Sequence, residues 1–79
     1  MLLERNNHMI KRSVVIAGQH STSITLEKEF MEELLFIAQK ENKTINELVT
    51  EIDKNRNINN LSSAIRIFIL QCIKKSVEH

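Results

Sequence analysis

The apolar and polar positions change period once early in the chain. In Ser21-Thr22-Ser23-Ile24-Thr25-Leu26 they alternate, with Thr22, Ile24 and Leu26 on one side of an extended backbone and Ser21, Ser23 and Thr25 on the other. Thr and Ile favour strands, so one short β-strand is expected here. From Phe30 the period becomes helical: Phe30, Leu34, Ile37 and Ala38 make one stripe, widened by Met31 and Leu35. This predicts a first helix over about Glu27–Glu41. Glu27, Glu29, Glu32 and Glu33 fall in its first turns, where the positive end of the dipole favours anions. Asn42 follows the last periodic residue and suits a left-handed C′ position.

Thr44-Ile45-Asn46-Glu47 has the spacing of a capping box, with the Thr44 hydroxyl and the Glu47 carboxylate each closing one backbone donor. It opens a second helix whose stripe is Ile45, Leu48, Val49 and Ile52. So short a connection makes the first two helices packed neighbours. The polar run Asn55-Arg56-Asn57-Ile58-Asn59-Asn60 breaks the pattern, and Asn60 can cap a third helix over about Leu61–Ser76. There Leu61, Ala64, Ile65, Ile67, Phe68, Ile69, Leu70, Cys72 and Ile73 cover nearly the whole circumference. A helix apolar all round is a buried one.

Upstream of the strand, residues 1–10 show no period and read as a flexible arm, leaving 11–79 as the folded domain. Lys11-Arg12 precedes Ser13-Val14-Val15-Ile16, a β-branched run that fits either a short strand or an extended arm. Gly18 allows a bend before His20.

Composition turns this pattern into a statement about assembly. At 79 residues with one cysteine, the chain cannot staple itself with an internal disulfide, and chains of this size often need a staple or a partner. A single strand also has no ladder partner, although its backbone groups must be satisfied. A homodimer answers both demands, with Ser21–Leu26 paired antiparallel to the same strand of a second copy and the third helix in the interface. No apolar signal-like region follows Met1, and no run reaches the roughly 18 apolar residues of a membrane span. Cytoplasmic residence is therefore the expectation, with no membrane association.

The net charge of +1 conceals a partition. Residues 1–26 carry Arg5, Lys11 and Arg12 against Glu4; residues 27–54 carry eight acids against Lys28, Lys40, Lys43 and Lys54; residues 55–79 carry Arg56, Arg66, Lys74 and Lys75 against Glu78. No acid lies between Arg5 and Leu26. A basic end of this kind can face a polyanion, with Lys11 and Arg12 as phosphate contacts. The amides at the start of the second helix form a further anion site. His8, His20 and Cys72 match no metal-ligand spacing. No nucleophile–base or carboxylate pair stands out, so neither a metal, a cofactor nor an enzymatic activity is expected.

Strand, helix, short turn, helix: this order resembles the ribbon-helix-helix family of DNA-binding repressors, and more narrowly a bacterial subfamily of small, uncharacterised members. The resemblance is carried by Lys11-Arg12-Ser13-Val14 with Ile16 and Gly18, His20, Thr22-Ser23, Leu26-Glu27, Phe30, Ile52-Asp53 and Asn60-Leu61-Ser62-Ser63-Ala64-Ile65-Arg66. Met31 stands where that subfamily usually has Trp, and Asn42 where it has glycine. The implied fold is mainly α with one short strand: a ribbon-helix-helix with an additional C-terminal helix, in an intertwined homodimer with an inter-chain antiparallel two-stranded ribbon.

By the same resemblance Ser21, Ser23 and Thr25 contact bases in the major groove, and Lys43, Thr44, Ile45 and Asn46 hold a phosphate beside Lys11 and Arg12. Ile24, Leu26, Phe30, Leu34, Leu48, Ile65, Phe68 and Ile69 are expected in the dimer core. The function implied is a dimeric transcriptional regulator bound to double-stranded DNA. The alternative is a dimerisation or protein-interaction module of the same fold, with an unknown protein partner. The small outward hydroxyls favour it, because no Arg, Asn or Gln is there to read a base bidentately.

Overall fold

The computed structural model describes residues 8–77. Two strands, β1 (Met9–Ile16) and β2 (His20–Glu27), precede three helices, α1 (Lys28–Lys40), α2 (Ile45–Asn55) and α3 (Leu61–Val77). The strands form an antiparallel hairpin within the chain, with Met9 opposite Glu27, Lys11 opposite Thr25, Ser13 opposite Ser23 and Ile16 opposite His20. The expectation of one strand is corrected here. The β-branched run is a full strand that starts at Met9 and satisfies one edge of β2. Met9 and Ile10 therefore belong to β1 and not to an arm; the rest of that arm, residues 1–7, lies outside the described residues.

The hairpin turns on Ile16-Ala17-Gly18-Gln19, closed by the Gln19 N–H donating to the Ile16 carbonyl at 3.1 Å. Ala17 (φ 55) and Gly18 (φ 72) are both left-handed, the geometry that matches the twist of the flanking strands. At the other end Lys28 N–H donates to the His8 carbonyl at 2.9 Å. That bond fixes the ladder. Even-numbered residues of both strands bond to one another, and odd-numbered residues turn their backbone groups to the outer edges. On β1 the outer edge is partly sealed, because Val15 N–H donates to Asn46 Oδ1 at 3.0 Å and Ala17 N–H to Thr50 Oγ1 at 2.9 Å. On β2 no hydrogen bond reaches the outer edge at Ser21, Ser23 or Thr25 among the described residues.

The same parity sorts the side chains. Val14, Ile24 and Leu26 lie on the face that packs on the helices and are buried with Leu34, Leu48, Val49, Ile65 and Ile69. Full burial of such side chains stabilises by roughly 1.5–3 kcal/mol each. Phe30 and Phe68 pack against this core but are only half-buried. Six of the eight residues expected in a dimer core are already buried within the single chain. What remains exposed is a different apolar set: Leu35 and Phe36 on α1, Ile67, Leu70, Ile73 and Val77 on α3, and singly Met9 and Val15 on β1 and Ile58 in the α2–α3 loop. α3 turns Ala64, Ile65 and Ile69 inward and this second apolar face away from the core.

The helix boundaries follow local chemistry. α1 ends in a Schellman motif: Asn42 (φ 58) is left-handed, its N–H donates to Gln39 O at 3.1 Å, and Lys43 N–H donates to Ala38 O at 2.8 Å. The α2–α3 loop is tied by Arg56, whose Nε donates to Asp53 Oδ1 at 2.8 Å and whose Nη1 donates to the Ile58 and Asn59 carbonyls. Asn60 caps α3 through Ser63 N–H at 3.1 Å.

Candidate nucleic-acid interface

The outward face of the hairpin is built from the odd-numbered residues. Lys11 lies across from Thr25, Ser13 from Ser23, and Val15 from Ser21. Ser21 and Ser23 are exposed and Thr25 is half-buried. Residues 9–25 contain no acid, so up to Thr25 the face carries hydroxyls, one ammonium and the exposed apolar side chains of Met9 and Val15. Ser13 and Val15 join it only because β1 is a strand, which the alternation within β2 could not reveal. Lys11 and Arg12, adjacent in sequence, are separated by the pleat. Lys11 is outward, whereas Arg12 is paired with Ile24 and takes the parity of the helix side, though it remains exposed.

The start of α2 stands beside the outer edge of β1, held there by the Asn46–Val15 bond. Its anion-binding capacity is partly used. Glu47 N–H donates to Thr44 Oγ1 at 3.0 Å, and Thr44 N–H donates to Glu47 Oε1 at 2.8 Å, so the capping box is complete. Among the described residues nothing accepts from the Ile45 and Asn46 N–H groups. Lys43 is held by Glu51 at 2.7 Å and Glu41 at 3.2 Å. The hydrogen bond to Glu51, then that to Glu41, pushes its ammonium pKa up against the opposing effect of desolvation. Of the four residues expected to hold phosphate here, two backbone donors are open, one is closed by a carboxylate, and the lysine is bound to two acids.

A contact absent from the sequence reading joins the ribbon to α3. Arg66 Nε donates to Glu27 Oε1 at 2.8 Å, and the Arg66 guanidinium lies 6.0 Å from the centre of the Phe30 ring. The Arg66 hydrogen bond, followed by a backbone one, holds the Glu27 carboxyl below its usual range. The one acid at the ribbon's end therefore carries its own counter-ion. Cys72 is half-buried, and burial raises its thiol pKa, the state of an inert packing thiol. Among the described residues no group of three or more His, Cys, Asp or Glu side chains is placed to hold a metal. No helix of the described residues is long and apolar enough to cross a membrane.

A model of the ribbon-helix-helix domain matches residues 9–73, from the first residue of β1 into α3. The chain belongs to the ribbon-helix-helix family. The match takes in both strands, so in this ribbon-helix-helix protein the strand preceding β2 lies inside the family domain. Domains of this family generally bind DNA as transcription regulators. No curated protein and no solved structure matches the chain.

Proposed function

We propose that this ribbon-helix-helix protein is a homodimeric DNA-binding regulator that turns the outward face of its ribbon to the major groove. The observation that carries the reading is the chemistry of that face: Lys11, Ser13, Ser21, Ser23 and Thr25 on one side of the hairpin, with no acid before Glu27, which Arg66 neutralises. Ser21, Ser23 and Thr25 face the base edges, while Lys11 and the open amides of Ile45 and Asn46 face phosphates. Two features support the dimer. The outer edge of β2 offers unpaired backbone groups at Ser21, Ser23 and Thr25, which an antiparallel β2 from a second copy satisfies. The second apolar face of α3 needs cover that the described residues do not supply.

A second reading, a protein-interaction module of the same fold, is favoured by the start of α2. There Glu41, Glu47 and Glu51 surround Lys43 and Thr44, and acids at that point repel a phosphate. A mobility-shift titration with duplex from the upstream region, at two salt concentrations, separates the two. The DNA reading expects a complex whose affinity falls steeply with salt. Absence of any complex at low salt would overturn it and leave the interaction module.

A further inference from the structure

The hairpin changes what a dimer of this chain can do. A B-DNA major groove is about 12 Å wide and about 8.5 Å deep, which admits a two-stranded ribbon. β2 already has β1 on one edge. Among the described residues the other edge of β2 has no hydrogen bond along its length, while β1's far edge is capped at its turn end, where Asn46 takes the Val15 N–H and Thr50 the Ala17 N–H. With α2 bonded to that end of β1, the unobstructed edge for a second copy is β2. We propose that the assembled sheet is four-stranded, β1–β2 from one protomer continued by β2–β1 from its partner, that it rides across the major groove instead of entering it, and that Lys11 rather than Arg12 holds the phosphate rows. This rests on the DNA-binding reading above and deepens it.

The dimensions decide the docking. Strands in a sheet lie about 4.8 Å apart, so the outer strands of a four-stranded sheet are separated by about 14 Å between axes. That exceeds the groove. Each strand is also turned by roughly 20–25° against its neighbour, so the flanking strands cannot follow the groove that the central pair overlies. The central β2 strands then lie over the base pairs and each β1 lies over a phosphate row.

At that row the outward side chain of β1 across from Thr25 is Lys11, with Ser13 next on the same face. Arg12 takes the opposite face. The start of α2 lies just beyond β1, held through Asn46, so its open Ile45 and Asn46 amides line the same row. Held at the level of the phosphates, the short hydroxyls of Ser21, Ser23 and Thr25 meet base edges through water and not directly. Recognition is then mainly electrostatic, with little sequence preference.

The test has two arms on the full chain. In a dimer mixed from isotope-labelled and unlabelled chains, inter-chain backbone NOEs are expected between β2 and β2, with β1 showing only contacts within its own chain. Inter-chain NOEs between β1 strands, or none along β2, overturn the four-stranded sheet. In the second arm, binding to two unrelated duplexes is measured against salt. The two affinities are expected within about tenfold, against the 10³ or more between specific and non-specific sites of a base-reading protein.

Lys11→Ala is expected to reduce the log–log salt slope by about 2 per dimer, at roughly 0.9 per phosphate released. Arg12→Ala is expected to leave the slope unchanged. A slope lost equally with Arg12→Ala, or a thousandfold preference between duplexes abolished by Thr25→Ala, overturns the docking while leaving DNA binding standing. No binding of either duplex at low salt overturns the DNA reading and the docking with it, whatever the NOEs show.

Discussion

Ile24 shows how one position serves both packing and placement. It is buried to 1% exposure, and its neighbours Ser23 and Thr25 face the other way because the strand period is two. Ile24→Asp places a charge among Leu34, Leu48 and Ile65 with no partner, and the chain is expected to lose its cooperative thermal transition. Ser23→Ala, one residue away, should leave the melting temperature unchanged. Glu27 is a second such residue. Its pKa is lowered in the fold by Arg66, so the bridge stabilises above the usual carboxylate range and its contribution is lost as pH falls through the depressed value. Glu27→Gln should therefore narrow the gap in stability between pH 7 and low pH, as read by urea unfolding at several pH values. A variant with an unchanged pH profile would show that the bridge contributes nothing.

At the scale of elements, what could be read from the sequence was what is local. The capping box at Thr44, the left-handed Asn42, the Asn60 cap and the alternation in β2 each depend on residues within four positions of one another. The structure has all of them, with helix boundaries within a residue or two of those expected. β1 depends on distant partners. Its alternation is broken, with Arg12 on the helix side and Val15 outward, and the turn end of its outer edge is held by Asn46 and Thr50, more than thirty residues away. No local signal could decide between strand and arm.

The candidate site divides the same way. The β2 hydroxyl face was legible, but the separation of Lys11 from Arg12 needed the register, and the closing of Thr44 N–H by Glu47 was implicit in the capping box. The turn was only half legible, since Gly18 announces a bend but Ala17 hides its positive φ. Ala17→Gly should raise stability by about 0.5–1 kcal/mol by relieving a left-handed alanine. Gly18→Ala should lower it by a similar amount, because nothing lies within 4 Å of the added Cβ and only the backbone conformation is penalised. Thr44→Ala should cost about 1 kcal/mol through the lost cap. Urea midpoints of the three variants check these signs.

For the whole molecule, the partition of charge and of apolar surface points one way. The acids gather on α1 and α2, the ribbon's outward face has none before Glu27, and α3 keeps an apolar face beyond the core. Sedimentation at micromolar concentration is expected to give a dimer, and a folded monomer would remove the need for a second β2. The most direct measurement of the central claim is an amide NMR titration of the labelled protein with a short duplex at low salt. The account predicts that shifts concentrate at Lys11, Ser13, Ser21, Ser23 and Thr25, with Ile45 and Asn46 beside them, and that α1 and the outward face of α3 stay still. Shifts confined to Leu35, Phe36, Ile67 and Leu70, or no shifts at all, would contradict it.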